Sequence, residues 1–108
     1  VTCVMTSGKE GDLGSVRTLN GSTIEILTAR TEYSYTYSQP VRVGVLYNQY
    51  HGTLEARPVT ANTSKLIYSM VWDESLLADA AARAAARTSR TTRFTAALQK
   101  MKAIAEAK

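Results

Sequence analysis

The chain has 108 residues, of which 44% are hydrophobic and 20% are charged, and its 13 Lys and Arg residues exceed its 9 Asp and Glu residues by a net charge of +4. This balance excludes intrinsic disorder and predicts one globular domain over residues 1–108. A single Cys and a single His exclude an internal disulfide and a structural zinc site, so we expect no metal, no cofactor and a reducing, cytoplasmic location.

The first two thirds of the chain predict an antiparallel meander. Short alternating runs separated by turn-forming residues place strands at residues 1–5, 14–19, 22–27, 32–38, 47–59 and 64–72. The clearest hairpin signal is Asn20-Gly21, because both residues tolerate positive φ. The segment 39–46 contains a Pro and a Gly around its valines, and it predicts either a mobile flap or a strand entry with a bulge.

The last third predicts one long helix over residues 76–105, since this segment is rich in Ala, Leu, Arg and Lys and has no Gly or Pro. Ser75 is the expected N-cap. An apolar stripe on this helix should face the sheet, and its first half is small while its second half is bulky. The stripe consists of Leu77, Ala80, Ala81, Ala84, Thr88, Thr91, Phe94, Leu98, Met101 and Ala105.

Positive charge is concentrated in this helix, where four arginines recur at three- and four-residue steps: Arg83, Arg87, Arg90 and Arg93. Such a row can bind the phosphates of nucleic acids or of anionic lipid headgroups. We expect it to form the solvated back of the helix and to bind no specific nucleic acid, because no aromatic residues alternate with the arginines. The chain also lacks an apolar run near the roughly 20 residues that cross a bilayer, so we expect no membrane insertion.

Alternation along the strands predicts one aromatic face on the sheet. Its members are Tyr33, Tyr35, Tyr37, Tyr50, Leu54, Leu66, Tyr68, Met70 and Trp72. The small half of the helix stripe cannot fill the space above a strongly curved sheet. We therefore predict a cavity under the helix, lined by aromatic rings and hydroxyl groups.

The motifs and their order add a family resemblance. GSVRTLNGSTIEIL is followed by a Tyr-rich strand, a Pro, YHGTLEARPV, KLIYSMVWD and an Ala-rich helix. Over nearly the whole chain this order resembles the polyketide cyclase/dehydrase and lipid-transport superfamily, whose START-like helix-grip fold also occurs in START domains, the birch-pollen allergen family and abscisic acid receptors. The resemblance implies an α+β fold, a curved antiparallel sheet of about six strands around one long C-terminal helix.

Members of that superfamily usually begin with a strand and two short helices, so the resemblance implies a domain that is incomplete at its N-terminus and has an unpaired sheet edge. It also implies a hydrophobic pocket, and the expected function is binding or transport of a lipid, sterol or polyketide-like molecule. The alternative is a polyketide cyclase or dehydratase that uses Glu25 and tyrosine hydroxyls as acid and base groups. Structural association through the arginine row or the open edge, including a homodimer, is a further alternative.

Glu25 is the sharpest candidate in the site. Strand alternation alone turns Ile24 and Ile26 inward and Glu25 to solvent, whereas the matching glutamate in the hormone-receptor branch faces the pocket. A buried carboxylate needs a partner. Arg17 is the predicted one, because the Asn20-Gly21 hairpin brings their strands together, although an exposed pair or no pair would also fit the sequence.

The remaining candidates are aromatic or apolar. Tyr50 matches a pocket tyrosine in the receptor branch and Tyr68 lies where many relatives carry Trp, with core filling as the alternative for both. His51 and Cys3 are not expected to be catalytic, because no nucleophile motif or second ligand accompanies them. The complete set of expected ligand-binding residues is Arg17, Glu25, Tyr35, Tyr50, Leu54, Tyr68, Met70, Trp72 and Phe94.

Overall fold

The computed structural model describes residues 2–40 and 48–107. Within them the chain forms a six-stranded antiparallel sheet in the order β1-β2-β3-β4-β5-β6, followed by a helix. The elements are β1 (Cys3–Ser7), β2 (Val16–Leu19), β3 (Thr23–Thr31), β4 (Ser34–Gln39), β5 (Asn48–Pro58), β6 (Ser64–Asp73) and α1 (Ala80–Glu106). This confirms the predicted α+β class, a curved sheet with one long C-terminal helix in a helix-grip-like arrangement. Val1 and all of the predicted flap beyond Pro40 lie outside the described residues.

Turns and bulges set the register of the first strands. Asn20 and Gly21 have φ values of 52° and 73°, so the predicted β2–β3 hairpin is confirmed. This hairpin pairs Arg17 with Glu25 directly across the two strands. An irregularity between Leu27 and Ala29 then shifts the register of β3 against β4. Strand β3 is longer than predicted, because it continues through this bulge to Thr31.

The helix begins later than the sequence suggested. Its N-cap is Asp79, whose side chain accepts a hydrogen bond of 2.8 Å from the backbone N–H of Ala82. The predicted cap, Ser75, lies in the preceding turn instead, where its backbone N–H donates to the Asp73 carboxylate. A carboxylate accepts these backbone hydrogen bonds better than a hydroxyl group, and two aspartates flank the turn. No helix among the described residues has both the length and the apolar character needed to cross a membrane.

The helix packs against β6 through a face that differs from the predicted stripe. In its second half the prediction is confirmed for Phe94, Leu98 and Met101, which are half-buried, and was wrong for Ala105, which is exposed. In its first half the prediction was wrong, because the small residues Ala80, Ala81, Ala84, Thr88 and Thr91 are exposed. The half-buried residues there are Ala82, Arg83, Ala86 and Arg90. Arginine can occupy this face because its aliphatic stem and flat guanidinium pack well on aromatic rings.

Candidate functional site

A cavity of about 660 Å³ opens on the concave face of the sheet, above β1–β4. Cross-strand pairing explains how these strands bring their side chains to one face: Arg17 lies opposite Glu25, and Leu27 lies opposite Tyr37. The β3 bulge then turns Arg30 to the same face, opposite Tyr35. The cavity is lined by Cys3, Met5, Glu10, Gly11, Ser15, Arg17, Glu25, Leu27, Arg30, Thr31, Glu32, Ser34, Tyr35 and Tyr37.

Arg17 and Glu25 form a buried ion pair in this cavity. Glu25 is only 6% exposed. The Nε and Nη2 atoms of Arg17 lie 2.9 and 2.8 Å from the same oxygen, Oε1 of Glu25. The predicted Arg17–Glu25 pair is therefore confirmed. Strand alternation alone predicted that Ile24 faces inward and Glu25 faces solvent, and this was wrong, since Ile24 is 37% exposed and Glu25 is buried. The isoleucines alternate with Glu25 along β3 and so lie on the opposite face of the sheet.

The guanidinium of Arg17 also lies over the ring of Tyr35, with Cζ 5.4 Å from the ring centroid. Burial lowers the pKa of Arg17, but hydrogen bonds to Tyr35 and Glu25, together with the negative charge of Glu25, outweigh that effect and raise it. Arg17 thus stays a cation that is held on one side by a carboxylate and on the other by an aromatic face.

Tyr37 is the central residue that the sequence-based site omitted. It is 2% exposed, and its hydroxyl lies 3.3 Å from the hydroxyl of Tyr50 and 2.5 Å from that of Tyr68. A Cβ atom on Gly52, its partner across β4 and β5, would lie 2.6 Å from the Tyr37 ring, so any larger residue would force that ring to move. Strand alternation places Tyr37 on the same face as Tyr35. Its close contact with Gly52 depends on the register of β4 against β5, which alternation does not determine.

Hydrogen bonding and burial hold these phenols in the neutral form. Burial is the main cause that raises the pKa of Tyr37, and the hydrogen bonds to Tyr50 and Tyr68 raise it further. Burial likewise raises the pKa of Tyr68 to about 12, against a smaller lowering by its hydrogen bond with Tyr37. These hydroxyls are therefore hydrogen-bonding groups at neutral pH.

Tyr50 and Trp72 belong to the contact with the helix. Tyr50 is 1% exposed, and its ring stacks on that of Trp72 at 6.3 Å with an angle of 20° between the planes. The Arg90 guanidinium covers both rings, with Cζ 5.0 Å from the Tyr50 centroid and 5.9 Å from the Trp72 centroid. The cavity predicted beneath the first half of the helix was thus misplaced, because Arg90 fills that space. The prediction that the arginine row forms the solvated back of the helix was wrong for Arg90 and for the half-buried Arg83.

Two further contacts fix the position of the helix, one with β6 and one with the residue that follows it. The Phe94 ring lies 4.8 Å from the ring of Tyr68. Arg87 donates hydrogen bonds to the carboxylate of Glu74, and this contact is the main reason why the pKa of Glu74 is lowered. We call Tyr37, Tyr50, Tyr68, Trp72 and Phe94 the aromatic cluster.

The predicted site residues thus divide into three groups. Arg17, Glu25 and Tyr35 line the cavity. Tyr50, Tyr68, Trp72 and Phe94 lie in the aromatic cluster, which reaches the cavity through Tyr37. Leu54 and Met70 are half-buried and lie outside the lining. The lining residues Glu10, Arg30 and Glu32 were not predicted, since loops and bulges carry no alternation signal. His51 and Cys3 are exposed, and Cys3 contributes to the lining.

Comparisons with known proteins bear mainly on the fold. No protein-family profile matches the chain, and no curated protein matches it. Among solved structures, the chain is similar to a protein from Nitrosospira multiformis that was determined by the Northeast Structural Genomics Consortium, with a TM-score of 0.58 and 28% sequence identity over 68% of this chain. The match covers 57% of that protein's length. The architecture is compatible with a helix-grip fold.

Proposed function

We propose that the chain binds or transports a largely apolar small molecule, a lipid, sterol or polyketide-like compound, in the cavity above β1–β4. The observation that carries the proposal is a cavity of about 660 Å³ in which aromatic rings adjoin a buried ion pair. Ligand pockets commonly enclose roughly 300–1,000 Å³ and combine apolar walls with a few fixed polar groups. The site we propose lies beside the helix contact, since the aromatic cluster fills the space beneath the helix.

The lining suggests how such a ligand would be oriented. Tyr35, Tyr37, Leu27 and Met5 supply apolar contact area. Both Arg17 nitrogens that contact Glu25 approach Oε1, which leaves Oε2 as the acceptor for a hydroxyl or other donor on the ligand. A fixed acceptor of this kind, on a side chain that is itself held by Arg17, would select the orientation of a ligand at little entropic cost.

The resemblance to the polyketide cyclase/dehydrase and lipid-transport superfamily supports this proposal, because many of its members carry or sense apolar molecules. A fold of this type does not select one chemistry, so the main support for a binding function is the cavity itself. The cavity offers a binding surface without a nucleophile motif or a group of metal ligands among the residues that line it.

A ligand panel tests the proposal directly. Sterols, fatty acids, flavonoids and aromatic polyketides would be titrated into the protein while the backbone amide NMR signals of β2–β4 are followed. We expect at least one class to shift the signals of Glu25 and Tyr35, and we expect Tyr35→Ala to weaken that ligand about tenfold or more.

Tyr33→Ala is the matched control, because Tyr33 is 52% exposed and lies outside the cavity lining. It should leave binding unchanged. If no compound shifts these signals, or if both alanine variants weaken binding equally, the proposal is wrong.

The second candidate is acid/base catalysis on a polyketide-like substrate, and it is favoured by the presence of a buried carboxylate and phenols in one cavity. Tyr37 is hydrogen-bonded within the aromatic cluster and its pKa is raised, so Glu25 would be the base and a tyrosine the donor. Glu25→Gln separates the two candidates. Catalysis predicts that turnover is lost while the substrate still binds, whereas a pure binding function predicts no turnover by either protein.

A further inference from the structure

The charges around the cavity indicate more about the ligand than its apolar character. Acidic groups outnumber basic ones in the lining, where Glu10, Glu25 and Glu32 face Arg17 and Arg30. The whole chain has the opposite sign, with a net charge of +4. The cavity is therefore an acidic region on a basic protein, and a local field of this kind selects ligands by charge.

Both basic groups in the lining are already held by the protein. Arg17 contacts Oε1 of Glu25 and lies over the ring of Tyr35. Arg30 donates a hydrogen bond of 2.6 Å from Nη1 to the backbone carbonyl of Gly11, which joins the end of β3 to the β1–β2 loop at the rim. A ligand anion would have to compete with these contacts for either guanidinium.

The acidic groups in the lining, in contrast, have oxygen atoms that no basic group of the described residues contacts. Glu10 and Glu32 are exposed at the rim, and neither forms an ion pair within residues 2–40 and 48–107. Deeper in the cavity, Glu25 is more than nine-tenths buried, and its Oε2 atom has no hydrogen-bond partner among the same residues. These carboxylate oxygens, together with the faces of Tyr35 and Tyr37, form a surface suited to a cation.

We infer that the ligand of this cavity is an apolar or aromatic molecule with a protonated amine. The inference rests on the proposed function and specifies its ligand class. The ring system of the ligand packs against Tyr35 and Tyr37, and its ammonium group lies among Glu25 Oε2 and the rim carboxylates. An amine supplies hydrogen-bond donors to a site whose vacant polar groups are acceptors.

The test uses three probes with one ring system and different charges: tryptamine is cationic, tryptophol is neutral and indoleacetate is anionic at neutral pH. Each is titrated into the protein at low ionic strength, and the amide NMR signals of β2–β4 report binding. We expect tryptamine to bind about tenfold more tightly than indoleacetate, which is the effect of a few partly screened charge contacts. Added salt should reduce this preference.

The double variant Glu10→Gln/Glu32→Gln should abolish most of the preference while tryptophol binding stays the same. The matched control is Glu55→Gln/Glu106→Gln, which changes the net charge equally at residues outside the cavity lining and should preserve the preference. Circular dichroism of each variant verifies that the fold is retained.

The outcomes separate the two proposals. Equal binding of the three probes, or tighter binding of indoleacetate, overturns the inferred charge of the ligand and leaves cavity binding intact. A preference for tryptamine that survives in the rim variant also overturns it. Absence of any shift with all three probes, together with a negative ligand panel, overturns the proposed function itself.

Discussion

The two halves of the concave face are built from the same kind of strand and yet have different roles. Above β1–β4 the face is open, and an ion pair lies in a cavity beside Tyr35. Above β5–β6 the helix covers the face, and Arg90 and Phe94 fill the space against tyrosines and Trp72. An aromatic residue on this sheet thus becomes part of the core or part of a cavity wall according to what covers it. Tyr37 is the residue where the two halves meet.

Truncation of Tyr37 should have the largest effect on this division. Tyr37→Ala removes a ring that is 2% exposed and leaves the hydroxyls of Tyr50 and Tyr68 without their shared partner. We expect a loss of about 3–5 kcal/mol in the free energy of unfolding, measured by denaturant titration. Tyr37→Phe keeps the ring and should lose only about 1–2 kcal/mol. Equal losses in the two variants would show that the hydroxyl network, and not ring packing, joins the two halves.

Removal of the Arg90 side chain should weaken the packing of the helix on the sheet, with a smaller effect on stability than the truncation of Tyr37. Arg90→Ala removes the guanidinium from the Tyr50 and Trp72 rings and should cost about 1–2 kcal/mol of unfolding free energy. Arg93→Ala is the matched control, since Arg93 is exposed on the same helix and its loss should cost less than about 0.5 kcal/mol. Trp72 fluorescence should change only in the Arg90 variant. Similar losses of unfolding free energy in the Arg90 and Arg93 variants would contradict the packing of Arg90 against the sheet.

Alkaline titration gives the smallest effect and reports on the buried hydroxyls of Tyr37 and Tyr68. The pKa of Tyr68 is raised to about 12 by burial, and that of Tyr37 is raised by burial and hydrogen bonding. Because a raised pKa means that the folded state retains the proton, this stabilisation is complete below about pH 10 and is lost as the pH rises through the folded-state value. Tyrosinate absorbance should show a late phase that coincides with unfolding.

The variant Tyr68→Phe identifies that late phase. It should reduce the amplitude of the late absorbance change, whereas Tyr33→Phe, at an exposed position, should leave that late change at full amplitude. A single phase in the wild-type protein would show that the aromatic cluster is open to solvent.

The sequence predicts the architecture well because its signals are local. Alternating runs, the Asn20-Gly21 turn and an Ala-rich segment free of Gly and Pro each act over a few residues, and together they define the sheet and the helix. The Arg17–Glu25 pair was predictable for the same reason, since one tight hairpin determines which residues lie opposite each other.

The details of the site depend on longer-range effects that these patterns do not contain. A hydrophobicity pattern treats Arg90 as solvent-facing, but its guanidinium packs on the rings of Tyr50 and Trp72, so the helix turns a different face to the sheet. Likewise, the bulge after Leu27 brings Arg30 to the cavity, and strict alternation would place it elsewhere. The family resemblance predicted the inward orientation of Glu25, whereas alternation alone predicted that it faces solvent.

Gly52 has a consequence that extends beyond its own strand. Since a Cβ atom there would meet the ring and hydroxyl of Tyr37 at 2.6 Å, the absence of a side chain lets that ring lie flat against the sheet. A larger residue would push the ring toward the open side, where it would occupy part of the cavity. The depth of the cavity is therefore determined in part by a residue that does not line it, and a larger residue at position 52 would make the cavity shallower without replacing any of the side chains that line it.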